Sequence, residues 1–164
     1  MFMEFLAAGD IVVDTFIKLK DAAVHCTINK EECEICMRWG DKIPYELSAF
    51  VPAVGNASNA AVSAARLGLS TALRAYVGKD AYGAQCLERL QKEGIDTSYM
   101  VTQPGKRTNN YYILWYESQR TILVNHEEFD YSLPTLANIP KWLYFSSFAA
   151  NSLPYHHAWA DYLR

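Results

Sequence analysis

The chain has 164 residues, 51% of them hydrophobic, with 11 Tyr, 7 Phe and 4 Trp, enough apolar material to bury one ordinary core, and its length points to one domain. Its formal net charge of -3 is spread among interspersed acids and bases, so it lacks the basic footprint of a nucleic-acid binder. No apolar run approaches the roughly 20 residues that span a bilayer, and the opening MFMEFLAAGD has neither a basic n-region nor a long h-region, so a cytoplasmic chain without membrane contact is expected.

Residues 5–13 read FLAAGDIVV, an apolar run broken by Gly-Asp, as in a buried strand whose carboxyl end delivers polar groups. Asp14 follows at that end. From 18 to 51 the periodicity is poor and charges are frequent, which predicts exposed strands and loops with a breaker at Pro44. This stretch holds three of the four cysteines, Cys26, Cys33 and Cys36; the fourth is Cys86. With no secretory signal and enough apolar residues for a core, reduced thiols are expected. Cys33-Glu-Ile-Cys36, with His25-Cys26 upstream, has metal-ligand spacing, but no second CxxC or spaced His pair completes a zinc set.

Ala57 to Leu67 carries a small-residue helical pattern closed by Gly68, and Ser70 to Val77 reads as the next strand. Asp80 is placed to cap a helix over Ala81 to Glu93, where Cys86, Leu87 and Leu90 recur at helical spacing before Gly94. Alternating strands and helices imply a parallel sheet with crossover helices. TNNYYILWYE and RTILVNHE, joined by Ser118-Gln119, predict a hairpin with aromatic residues on both faces of its first strand. Residues 140–148, PKWLYFSSF, return to the buried-strand pattern, and Pro154 opens a helix containing Tyr155, Trp159 and Tyr162.

Ligands of parallel sheets bind beyond the carboxyl ends of the strands, where Asp14 and the 55–59 loop are expected to lie. An ionised Asp accepts hydrogen bonds from vicinal hydroxyls, a glycine lets a polyol approach the backbone, and Asn side chains donate and accept at once. Those are the needs of a sugar. The plainer alternatives are that Asp14 caps a turn and Asn59 caps a helix.

Gly55-Asn56-Ala57-Ser58-Asn59-Ala60-Ala61, followed at intervals by Gly68 and Gly78, resembles the first signature of the PfkB, or ribokinase-like, family of carbohydrate kinases. Gly9-Asp10-Ile11-Val12-Val13-Asp14 is similar to the family's first-strand motif. GKDAYGAQCLERLQKEGID, residues 78–96, resembles its G-x-D-x-x-G helix ending in G-I-D; the chain departs from the pattern at Val54, where glycine or alanine is usual. The resemblance implies an α/β, ribokinase-like three-layer sandwich with a mostly parallel sheet and a small β-lid, the lid strands lying within about 17–51 and 107–126. Residues 1–164 would then be the N-terminal part of one kinase domain, truncated before its C-terminal half.

What the resemblance further implies is transfer of the ATP γ-phosphate to a hydroxyl of a sugar or nucleoside held by Asp14, Gly55, Asn56 and Asn59. Tyr111 would be the lid residue nearest the substrate, with ordinary packing as its plainer role. Tyr111 and Tyr112 would suit stacking on a sugar or base, and an inward Arg120 would meet a sugar-acid carboxylate. The complete kinase uses ATP and Mg2+ and takes its base from a D-T-x-G-A-G-D motif; that motif is absent from these 164 residues, so no catalytic base and neither cofactor site is expected in this chain, and no kinase turnover from it alone. A homodimer through the lid is a further expectation. The rival readings are a truncated, non-catalytic polyol-binding or interaction protein, a zinc or redox module on Cys33 and Cys36, and a dinucleotide-binding domain, the last disfavoured because no G-x-G-x-x-G follows the first strand.

Overall fold

The computed structural model describes residues 3–27, 29 and 32–164. In chain order the elements are β1 (Phe5–Ala8), β2 (Val12–Leu19), β3 (Ala23–Cys26), β4 (Cys33–Cys36), β5 (Tyr45–Val54), α1 (Asn56–Arg66), β6 (Thr71–Arg74), β7 (Tyr76–Gly78), α2 (Ala81–Lys92), β8 (Val101–Gln103), β9 (Asn110–Tyr116), β10 (Gln119–Asn125), β11 (Trp142–Phe145), a 3-10 turn (Ala150–Ser152) and α3 (Leu153–Tyr162). They divide between two compact units, one made of residues 1–13, 52–110 and 125–164 and the other of 14–51 and 111–124.

The first unit is built on β1, which pairs in parallel with β11 on one side and β6 on the other. Successive side chains of a strand point to opposite faces, and β1 uses both. Ala7 joins Leu73 and Val77, with Ala57 and Ala61 of α1 and Cys86 and Leu90 of α2, in one buried core. Leu6 and Ala8 join Ala72, with Tyr155 and Trp159 of α3, in another. A sheet covered by helices on both faces is an α/β three-layer sandwich.

The helix α1 is favoured by its Ala residues, which lose no side-chain freedom on ordering, and it lies close to the sheet because Ala57, Ser58, Ala61 and Ala64 present a buried face of small residues. Gly9 has the same use: a Cβ there would stand 2.8 Å from that of Ala57 and 2.9 Å from that of Ser146. In α2, Asp80 is the N-cap, accepting the Gly83 N–H at 2.8 Å.

The second unit contains a four-stranded sheet ordered β10-β9-β2-β5 and an antiparallel hairpin, β3-β4. Among the described residues, no helix is long and apolar enough to cross a membrane.

The 5–13 run is not one strand: β1 ends at Ala8, β2 begins at Val12, and Asp14 lies inside β2 rather than at a strand end, so it caps no turn. The residue leaving the first strand is Asp10. Cys26 and Cys33 are not reduced thiols but a disulfide, because the β3-β4 register sets them directly opposite each other with Cα atoms 4.0 Å apart. Cys36 and Cys86 are free.

Candidate functional site

In the first unit, the chain enters α1 through a strained approach. Ala53 has φ 57° and Gly55 φ 114°, so two left-handed residues flank Val54. Gly55 is the N-cap and offers no side-chain cap; instead its carbonyl accepts the Asn59 N–H at 2.9 Å and the Ser58 hydroxyl at 3.1 Å. A Cβ on Gly55 would come 3.0 Å from the Asp10 carbonyl oxygen, so this position needs glycine twice over. Asn56 and Asn59, one helical turn apart, are exposed, and among the described residues their side-chain amides make no hydrogen bond. Asn59 is not a helix cap. Gly55, Asn56 and Asn59 are thus brought together on one helix terminus whose N–H groups favour oxygen ligands.

In the second unit, Asp14 and Tyr111 lie on the neighbouring strands β2 and β9. Lys18 stands 5.5 Å over the Trp115 ring, and Phe16, Ile113 and Trp115 line one cavity of about 280 Å3 together with Arg120. By the two-residue period of a strand, Asp14 and Tyr111 therefore share that face of the sheet. Burial alone raises the Asp14 carboxyl above its ordinary range. Its Oδ1 is buried and has no hydrogen-bond partner among the described residues. An unpaired buried carboxylate oxygen is costly, and a ligand hydroxyl would relieve that cost.

Asp10 was not singled out as a site residue from sequence. Its side chain is 5% exposed, and its Oδ2 accepts the Tyr131 hydroxyl at 2.8 Å and the Ala149 N–H at 2.9 Å and shares a 2.9 Å hydrogen bond with His126 Nε2. The carboxylate thereby ties the loop after β1 to the segment after β10 and the loop after β11. Burial and the neighbouring Asp10 charge push the Tyr131 phenol far up, so Tyr131 stays a donor. The broken Gly-Asp in an otherwise apolar run was the available signal. Arg74, at the end of β6, is also buried and bonds to the Tyr76 hydroxyl at 2.6 Å, the Tyr99 carbonyl at 3.0 Å and the Ser132 carbonyl. Nothing in its local sequence distinguishes it from a surface arginine.

Among the described residues, no group of three or more His, Cys, Asp and Glu is placed to hold a metal ion. Asp80 is engaged by α2 and Thr108, whereas Asp10 is engaged only through Oδ2: its Oδ1 is buried with no hydrogen-bond partner among the described residues.

Residues 50–153, more than half of the chain, match the pfkB family of carbohydrate kinases. The chain belongs to this family. The bifunctional protein HldE of Magnetococcus marinus is 35% identical over 79 residues, covering 43% of this chain and 16% of that protein. Among solved structures, a putative ribokinase from Agrobacterium tumefaciens matches with a TM-score of 0.60 and 26% identity over 77% of this chain and 37% of its own. The ribokinase of Cryptococcus neoformans in complex with ADP gives 0.66 and 21% over 97% of this chain and 44% of its own. The Arabidopsis thaliana ribokinase complexed with ribose and ATP gives 0.63 and 18%, over 77% and 37%. The pfkB-family chain described here thus spans less than half the length of each of these relatives. The last two likenesses show a ribokinase-like fold.

Proposed function

We propose that this chain supplies the sugar-binding part of an ATP-dependent carbohydrate or nucleoside kinase that passes the γ-phosphate of ATP to a substrate hydroxyl. Residues 1–164 belong in this reading to one kinase domain, with the strands of the second unit as its lid. Asp14 accepts hydrogen bonds from substrate hydroxyls, Asn56 and Asn59 donate and accept around the ring, Gly55 lets the polyol reach the backbone, and Tyr111 covers one face of it. The observation that carries the reading is Asp14 Oδ1, buried and without a partner among the described residues, in a chain whose family acts on carbohydrates. A closing lid would exclude water and strengthen each of these contacts.

The division of labour follows from the chemistry. These residues select and orient the acceptor; ATP, with Mg2+, would supply the phosphoryl group when bound by the whole kinase, and the base is expected outside the residues named here. The exposed strand β10, with Ile122, Leu123 and Val124 accessible at the sheet edge, supports pairing of two lids in a homodimer. Calorimetric titration of the purified chain with ribose, fructose and a nucleoside tests the reading, with Asp14→Asn as the discriminating variant. Saturable heat lost in the variant supports it; equal heats in both oppose it.

A further inference from the structure

We infer that Cys26 and Cys33 form a reversible thiol–disulfide site that decides whether the β3-β4 hairpin is ordered. The two residues form the last strand pair of the hairpin, across a sequence separation of 7, with one further rung beyond them where the Thr27 N–H donates to the Glu32 carbonyl at 2.9 Å. All four residues of β3 are exposed, as are Cys33 and Glu34 of β4, so the hairpin buries little apolar surface of its own. A two-stranded hairpin is marginal in water by itself, and this one sets only Val24, Cys33 and Ile35 against the β9-β10 hairpin, so the covalent bond supplies closure beyond that sparse packing. Because both sulfur-bearing residues are exposed, the bond is open to exchange with a dithiol.

The exchange balances simply. A dithiol reductant attacks one sulfur as its thiolate, a mixed disulfide forms, and its second thiolate releases the protein. The reductant leaves as a disulfide, and Cys26 and Cys33 each take up one electron and one proton. Cys36 lies three residues from Cys33 on the same strand, hence on the opposite face, and is not positioned to resolve the bond itself. The consequence reaches beyond the hairpin. Val24, Cys33 and Ile35 form one wall of a cavity of about 180 Å3 whose other wall is Leu114, Tyr116 and Arg120 of the β9-β10 hairpin. Reduction frees β3 from β4 and dismantles that wall.

The test uses the whole chain, exposed in turn to oxidised glutathione and to dithiothreitol. Peptide mapping without reduction is expected to find Cys26 linked to Cys33. Alkylation after denaturation is expected to label two cysteines, Cys36 and Cys86, in the oxidised protein and all four after reduction. Amide exchange over 23–26 and 33–36 should rise at least about tenfold on reduction, as expected for loss of local structure. The double variant Cys26→Ser, Cys33→Ser should exchange at the reduced rate in both conditions. Four labelled cysteines after oxidation, a Cys33–Cys36 link, or hairpin exchange unchanged by reduction would each overturn the inference.

Discussion

Asp80 binds Thr108 twice: its Oδ2 accepts the Thr108 N–H at 2.8 Å, and its Oδ1 accepts the Thr108 hydroxyl at 2.7 Å while also capping α2 through Gly83. One carboxylate therefore starts a helix and fixes the segment that leads into β9. Burial pushes this carboxyl upward, but the hydrogen bonds from Thr108 and Gly83 outweigh it, and the net position is below the ordinary carboxylate range. A depressed acid stabilises the fold above its unfolded pKa, and that contribution is lost as pH falls through the folded value. Asp80→Ala is expected to lower stability at pH 7 by roughly 2–4 kcal/mol. Denaturant unfolding should show the difference between wild type and variant shrinking below about pH 4, where the lost contribution lies.

The glycines separate steric from conformational cost. A Cβ on Gly78 would strike the Lys106 carbonyl and come within 2.7 Å of the Thr108 nitrogen, all backbone, whereas a Cβ on Gly68 would meet nothing within 4 Å. Gly68 has φ 92°, so its replacement carries only a backbone penalty. Gly78→Ala should cost about 3 kcal/mol or more and Gly68→Ala about 1 kcal/mol, read from the shift in urea midpoint.

Cys86 has a different fate from the hairpin cysteines. Burial first, and the nearby Asp80 charge after it, push its thiol up to about 11, even though its sulfur accepts the Ala53 N–H at 3.3 Å. At pH 8 the thiolate is then on the order of one part in a thousand. Iodoacetamide should label Cys36 in the folded protein and Cys86 only at the rate of unfolding; comparable labelling of both would contradict the packing around α2.

Removing the Asp10 carboxylate leaves the Tyr131 hydroxyl, the Ala149 N–H and His126 without this acceptor. Asp10→Ala should therefore destabilise by roughly 2–4 kcal/mol, with Asp10→Asn in between, since an amide oxygen still accepts. A thermal unfolding series of the three proteins checks the order.

Much of the scaffold was legible because its signals are local. The Asp80 cap, the Ala57–Ala61 spacing and the glycines after α1 and α2 each act within one turn of chain, and the structure has α1 at Asn56–Arg66 and α2 at Ala81–Lys92. What failed was non-local. The run Phe5–Val13 has the apolar content of a single strand, yet the chain breaks after Ala8 because the Gly9 turn packs against Ala57 and Ser146, partners 48 and more residues away. That break moves Asp14 into β2 and leaves Asp10 at the end of β1. The Cys26–Cys33 bond was missed for the same reason: it depends on the hairpin register, which the irregular periodicity of 18–51 does not carry. Arg74 could not be found at all, since its partners come from four separate segments.

The proposed function gives sugar contacts to Asp14 and, independently, to Asn59 of α1, and a paired measurement on three proteins tests each. Because burial raises the Asp14 carboxyl, its charge opposes folding above the unfolded pKa, so Asp14→Asn should leave the ligand-free chain as stable as wild type or more so at pH 7. Asn59→Ala, at an exposed helical position, should change stability by no more than about 0.5 kcal/mol. Melting temperature and calorimetric titration with ribose, fructose and a nucleoside are then read together. Saturable binding of at least one of these by wild type is expected, with a loss of about tenfold or more in both variants and no accompanying loss of stability. Unchanged affinity in either folded variant, or no binding by wild type, would contradict the proposed contacts.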